Sequence, residues 1–157
     1  MAGTNGNLVR DGRHGDIDAL LAIESRFPSD RLSRRSFRRA IGGPSQALLV
    51  AESRNEIAGY ALVLFRRNSR VARLYSIAVA TAHTGRGLGA TLLVAAEDRA
   101  RARGCDEMRL EVDPANRAAT TLYQRAGYVE TGRLPAYYEN GRPAVRFARC
   151  LTVPSEE

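Results

Sequence analysis

The chain has 157 residues, 44% of them hydrophobic, which is typical of one domain with its own core. Every one of its 24 basic residues is an arginine and the formal net charge is +7, so chemistry that needs a Schiff-base or Walker lysine is excluded. No apolar run approaches the ~20 residues of a membrane span, and two cysteines and two histidines suggest neither a disulfide framework nor a metal site. We expect one cytoplasmic domain over residues 1–157, with its core from about 11 to 151 and no metal.

Hydrophobic periodicity predicts a strand, two helices and three more strands in the first 80 residues. The strands fall at 7–13, 47–53, 57–67 and 71–80, and the helices begin at Asp16 and at Ser33 or Ser36. The Arg54–Asn55 pair between two apolar runs indicates a hairpin.

The pattern in the second half of the sequence predicts two helices and three strands. A long helix at 87–103 carries a stripe of Leu88, Thr91, Leu92, Ala95, Ala96 and Arg99. A strand at 107–112, a helix at 116–126 and a closing antiparallel pair at 128–134 and 145–152 follow. The order β-α-α-β-β-β-α-β-α-β-β predicts a mixed α/β sheet flanked by helices.

Glycines 85, 87 and 89 stand between a strand and the long helix, where unpaired N–H groups and the helix dipole favour an anion such as a pyrophosphate. A glycine-rich helix start is also often only a tight turn. A Walker site is excluded by the missing lysine. The dinucleotide fingerprint fits poorly because the turn comes after four strands of a small domain.

The segment LYSIAVATAHTGRGLGATLL resembles motif A of the GNAT acetyltransferase superfamily, although Thr84 stands where Arg or Gln is usual. Downstream, EVDPANRAATTLYQRAGY resembles motif B of the same family. The resemblance covers roughly 11–151, and FPSDRLSRRSF, LEV and LPAYYENG are most similar to bacterial ribosomal-protein-alanine N-acetyltransferases. It implies a mostly antiparallel sheet that splays in the middle, acetyl-CoA as cofactor, and transfer of its acetyl group to a primary amine.

The resemblance also implies which residues contact the coenzyme. They are Ile77, Val79, Thr84, Gly85, Arg86, Gly87, Leu88, Gly89, Ala90, Asn116 and Tyr123. Ile77 and Val79 would act through the backbone of a splayed strand edge, and Asn116 is equally an ordinary helix N-cap.

Two side chains are candidates for catalysis. By the resemblance Tyr123 is the general acid and Glu111 the general base. A buried core tyrosine, and a structural carboxylate paired with Arg109 or Arg117, are the alternative interpretations. Tyr137, Tyr138 and Glu139 lie in a loop that we expect to contact the acceptor.

Three functions remain open at this point. The first is acetylation of a protein or peptide amine, most simply an N-terminal one, and the second is acetylation of a small-molecule amine such as an antibiotic, a polyamine or an amino acid. The third, a basic domain that binds nucleic acid or coenzyme without catalysis, is disfavoured because no strand interleaves aromatic and basic residues. We expect no membrane or nucleic-acid partner, and either a monomer or a homodimer.

Overall fold

The alternating apolar residues of the predicted strands line the two faces of one sheet. A computed structural model describes residues 7–28 and 30–152, and within these ranges the chain forms seven strands and four α-helices. The strands are β1 (Asn7–Asp11), β2 (Gln46–Ser53), β3 (Glu56–Phe65), β4 (Val71–Val79), β5 (Glu107–Val112), β6 (Val129–Leu134) and β7 (Ala144–Cys150). The helices are α1 (Ile17–Glu24), α2 (Arg34–Ala40), α3 (Leu88–Ala102) and α4 (Arg117–Arg125).

The strand order is β1-β2-β3-β4-β5-β7-β6, and β4–β5 is the one parallel pair of this described sheet. α3 makes the crossover between those two parallel strands, as a parallel connection requires. The predicted element order and mixed, mostly antiparallel sheet are confirmed.

Two of the predicted boundaries were wrong or open. β1 ends at Asp11 instead of residue 13, and at Gly12 the chain passes close to β2, since a Cβ there would lie 2.8 Å from Leu48 Cδ2. The second helix begins after Ser33, whose Oγ accepts a hydrogen bond from the Ser36 N–H at 3.1 Å. Ser33 is therefore the N-cap, and Ser36 lies inside the helix.

The two faces of the sheet carry separate cores. α3 packs on one face over small and aliphatic side chains such as Ala61, Val63 and Leu74. α1 and α2 cover the other face around Tyr60, which meets the Phe37 ring edge-on at 5.5 Å. The longest described helix, α3, has 15 residues, and no helix in the described ranges is long and apolar enough to cross a bilayer.

The buried stripe of α3 differs from the predicted one. It includes Leu93, Glu97 and Ala100, whereas Thr91 is exposed. Glu97 is only 2% exposed because its carboxylate accepts 2.8 Å hydrogen bonds from the Tyr128 hydroxyl and the Arg149 guanidinium. A buried charge requires such partners, and both are supplied from beyond α4.

We expect Arg149→Met to lower the free energy of unfolding by about 2–3 kcal/mol, because it leaves the Glu97 carboxylate buried without its cation. The urea midpoint at unchanged slope measures this loss. The matched control is Arg133→Met, which removes the solvent-exposed pair with Glu130 and should cost less than ~1 kcal/mol. Equal losses in the two variants would contradict a structural role for the Glu97–Arg149 pair.

Candidate active site

The sheet opens between β4 and β5. β4 pairs with β3 from Ala72 to Val79, but it pairs with β5 over only three residues, ending at Arg73 opposite Arg109. Within these two strands no further β4–β5 pair follows, so the β4 edge that faces β5 is unpaired from Leu74 onward. Ile77 and Val79 lie on this free edge, as predicted, where backbone groups are available to a ligand.

A bulge accompanies the opening. The β3–β4 register shifts between Leu62 and Val63, which face Ser76 and Leu74, so Tyr75 is the extra residue of β4. Its side chain is 46% exposed, and the Arg73 guanidinium lies 5.5 Å from the centre of its ring. The bulge thus presents an aromatic ring and a cation at the mouth of the opening.

The glycine cluster follows β4 after a short 3-10 turn (Thr81–His83) and begins α3. Gly85 and Gly87 have φ values of +79° and +75°, which disfavour any side chain, and nothing lies within 4 Å of the position of a Cβ on either. Glycine suits position 89 for a different reason. A Cβ added there would lie 3.4 Å from Leu122 Cδ2, so the absence of a side chain allows α3 to approach α4. The first-turn amides of Leu88, Gly89 and Ala90 have no acceptor within the helix.

The polar side chains around this turn leave its backbone open. Thr84 Oγ1 donates to the Thr81 carbonyl at 3.0 Å, and Arg86 is exposed. Asn116 caps α4, its Oδ1 accepting from the Ala119 N–H at 3.1 Å. The N-cap interpretation of Asn116 is therefore confirmed, and its predicted coenzyme contact stays a prediction.

Tyr123 lies on α4 and is 6% exposed. Its ring meets that of Tyr128 at 5.8 Å, and its hydroxyl has no protein hydrogen-bond partner among the described residues. Burial, and to a lesser degree the nearby Tyr138 phenol, raises the pKa of Tyr123 above its usual value. The hydroxyl is therefore protonated at neutral pH and free to donate.

Glu111 is paired with arginines that the sequence did not suggest. Its side chain is 8% exposed, and its two carboxylate oxygens accept from Arg73 Nε at 3.1 Å and Arg146 Nη2 at 3.2 Å. The alternative interpretation named Arg109 or Arg117 as the partner, and these partners are wrong: both carboxylate oxygens bond Arg73 and Arg146, and Arg109 bonds Glu107. Arg146 lies directly opposite Glu111 across the β5–β7 ladder, a neighbour that only the register reveals.

The loop between β6 and β7 contacts the ion pair of Glu111 and Arg73. Arg73 Nη2 donates to the Tyr137 hydroxyl at 2.5 Å. Burial raises the pKa of Tyr138 to about 12, and the neighbouring Tyr137, Asp113 and Glu111 add to that shift. The structure thus brings Tyr137 and Tyr138 to Glu111, whereas Glu139 is exposed at the loop surface.

An ion pair that sequence reasoning missed anchors the same loop. Arg142 bonds both carboxylate oxygens of Asp113, at 2.5 and 3.0 Å, and holds the pKa of Asp113 below its usual range. Asp113 follows β5 directly, so the loop is attached to the strand that carries Glu111. No pattern in the sequence signals this contact, because the two residues are far apart along the chain.

A second missed group lies on the side of α1 and α2. The buried Glu24 carboxylate accepts hydrogen bonds from the Tyr60 hydroxyl and, at 2.8 Å, from the Leu32 N–H. The Tyr60 and Ser76 hydroxyls are 2.7 Å apart. These bonds attach the α1–α2 connection to β3 and β4.

Comparison with known proteins places this geometry in a family. A model described as the acetyltransferase (GNAT) family matches residues 16–128, more than half of the chain. The chain belongs to the GNAT acetyltransferase family. Membership confirms the resemblance seen in the two motifs and the predicted fold class.

The relatives of this GNAT protein act on different acceptors, judging by their names. The ribosomal-protein-S18-alanine N-acetyltransferase of Escherichia coli superposes with a TM-score of 0.82 at 27% identity, covering 96% of this chain and 97% of that one. The N-alpha-acetyltransferase MAK3 of Arabidopsis thaliana is 36% identical over 46% of this chain and 38% of its own length. The L-methionine sulfoximine/L-methionine sulfone acetyltransferase of Pseudomonas paraeruginosa is 29% identical over 81% and 83%. The chain spans about half the length of the first curated relatives it matches.

We expect Gly87→Val to weaken coenzyme binding strongly, because a β-branched residue at φ +75° distorts the first turn of α3 and its amides. Calorimetric titration with coenzyme A measures the affinity. The matched control is Gly104→Val, at the other end of α3, where φ is +84° and nothing lies within 4 Å. It carries a similar strain, so normal binding by Gly104→Val together with loss in Gly87→Val assigns the effect to the glycine turn. Thr84→Ala should leave the affinity unchanged.

Proposed function

We propose that this GNAT protein transfers the acetyl group of acetyl-CoA directly to a primary amine, in the cleft where β4 and β5 separate. The observation that carries the proposal is the arrangement around that cleft. The glycine turn lies at one end of the free β4 edge, Glu111 lies across the opening on β5, and Tyr123 lies near Tyr138, the loop residue that also interacts with Glu111.

The residues present fit acetyl-CoA. The open positions at Gly85 and Gly87 and the amides of residues 86–90 suit a pyrophosphate at a helix N-terminus. The unpaired β4 edge at Ile77 and Val79 suits the amides of the pantetheine arm. We infer that this surface, with Asn116 at the start of α4, holds the coenzyme.

The bound coenzyme supplies a thioester carbonyl open to attack by an amine and a thiolate that leaves. Glu111 takes a proton from the acceptor ammonium, directly or through water: each of its oxygens bonds one guanidinium and keeps a lone pair. Tyr123 donates its proton to the departing sulfur: its raised pKa keeps the hydroxyl protonated at neutral pH, and that hydroxyl has no protein partner among the described residues. For the reaction to balance, the N–C bond would form as the C–S bond breaks. The nitrogen would lose its second proton to the Tyr123 phenolate, which restores the phenol, and Glu111 would release its proton to solvent.

We infer a peptide or protein N-terminal amine as the acceptor. The match in length and fold to the Escherichia coli S18-alanine enzyme and the similarity to an N-alpha-acetyltransferase support this. A small-molecule amine is the second candidate, favoured by the longer sequence match to an enzyme named for two methionine derivatives. The decisive experiment measures thioester consumption against N-terminal peptides, lysine peptides, polyamines and amino acids. Turnover of none of these amines would contradict the proposed reaction.

We expect Tyr123→Phe to lower kcat by roughly 10²-fold or more while the coenzyme Kd stays the same, since general acid catalysis contributes ~10²–10⁴-fold. Steady-state kinetics and calorimetry measure the two quantities. Tyr128→Phe is the matched control, because its hydroxyl bonds Glu97 inside the core. It should lower stability and leave kcat unchanged, and an unchanged kcat in Tyr123→Phe would make Tyr123 a core residue only.

For Glu111→Gln we expect the largest rate loss near neutral pH, where the acceptor is mostly ammonium and needs a base. The loss should shrink as the pH rises, because the amine then loses its proton in solution. The pH–rate profile and the melting temperature are measured for this variant and for Glu107→Gln, a carboxylate on the same face of β5 paired with Arg109. A lowered melting temperature with a pH-independent loss would instead indicate a structural Glu111.

A further inference from the structure

The ion pairs around Glu111 do not balance. Arg73 and Arg146 share the single carboxylate of Glu111. The neighbouring arginines each have a carboxylate of their own, since Arg109 pairs with Glu107 and Arg142 with Asp113. The cluster of Arg73, Glu111 and Arg146 therefore carries one surplus positive charge.

Both arginines in this cluster can reach a ligand. Their side chains are 39% and 40% exposed, whereas Glu111 between them is 8% exposed. Arg73 uses Nε for Glu111 and Nη2 for the Tyr137 hydroxyl, and Arg146 uses Nη2 for Glu111. Within the described residues their other N–H groups have no acceptor, and a guanidinium fork matches a carboxylate well.

This surplus opposes the reaction unless the acceptor compensates it. An acceptor amine arrives as an ammonium, which a net positive cluster repels. When the acceptor also carries a carboxylate, that carboxylate binds the arginines and the ammonium lies next to Glu111. The same two arginines then attract the acceptor and orient it.

We propose that Arg73 and Arg146 select acceptors that carry a carboxylate close to the reacting amine. Two sources have this chemistry: a free α-amino acid, and a peptide whose first residue is acidic. The inference rests on the proposed acetyl transfer and names the acceptor class for the same site. Arg73 and Arg146 are specificity residues in it, and Glu111 keeps its role toward the proton.

The test compares kcat/KM within two pairs of acceptors. One pair is L-leucine and L-leucinamide, and the other is a C-terminally amidated tetrapeptide that begins with Glu or with Gln. Because a hydrogen bond to a charged group contributes about 1.5–3 kcal/mol, we expect the carboxylate form to be preferred about 10-fold or more in one pair, which identifies the source. Equal or faster transfer to the neutral partner in both pairs would overturn the inference.

Variants then locate the preference. Arg146→Gln should reduce the carboxylate-to-amide ratio about 10-fold, and Arg146→Lys should restore part of it. Arg109→Gln is the matched control. Arg109 lies on β5, on the same face of the sheet as Arg146, and its loss should leave the carboxylate-to-amide ratio unchanged. A ratio that falls equally in Arg109→Gln would indicate general surface charge and overturn the assignment to Arg146.

The test of the carboxylate-to-amide ratio can fail without contradicting the proposed acetyl transfer. Acetylation of any amine in the panel supports the proposed function even when the carboxylate preference is absent. Folding and coenzyme Kd are checked in each variant, so that a loss of the ratio in a folded, coenzyme-binding protein reports on the acceptor alone.

Discussion

β4 and β5 are joined by three residue pairs, ending at Arg73 and Arg109, and then separate. The separation leaves backbone groups of β4 without a partner in the sheet, and an unpaired strand edge is costly unless solvent or a ligand satisfies it. The rest of the site depends on this opening. The glycine turn lies just beyond the free edge, Glu111 lies on the far side, and the bulge at Tyr75 coincides with the start of the gap.

Three carboxylates with little solvent exposure, Glu24, Glu97 and Glu111, differ in the partners that surround them. Glu97 is neutralised by one arginine, whose side chain is 33% exposed, and accepts a hydrogen bond from the buried Tyr128. Among the described residues Glu24 has only an N–H and a hydroxyl as partners, and it fixes the α1–α2 connection. Glu111 differs from both, because it has two arginine partners and lies on β5, across the opening from the free edge of β4. The proposed proton transfer requires that an acceptor can reach this carboxylate.

The sequence by itself determined the order of the elements and the positions of the glycine turn and of α4. These features are local: Gly85 and Gly87 mark positive φ, Asn116 marks a helix start, and alternation over 107–112 marks β5. The motifs they form also sufficed to identify the family. Asn116, Tyr123 and Glu111 could be named as candidates because their motifs lie within a short stretch of chain.

The tertiary structure decided which side chains meet in the cleft. Arg73 and Arg146 are 38 and 35 residues from Glu111, and the strand register, not sequence spacing, brings them together. The sequence offered Arg109 as a partner because it is two positions away, but Glu107 takes that arginine. Likewise Glu97 was not expected inside the core, since Tyr128 and Arg149 become its partners only after β7 folds beside β5. The charge balance around Glu111 depends on contacts between distant segments, so the proposed acceptor preference could not be inferred before the fold was known.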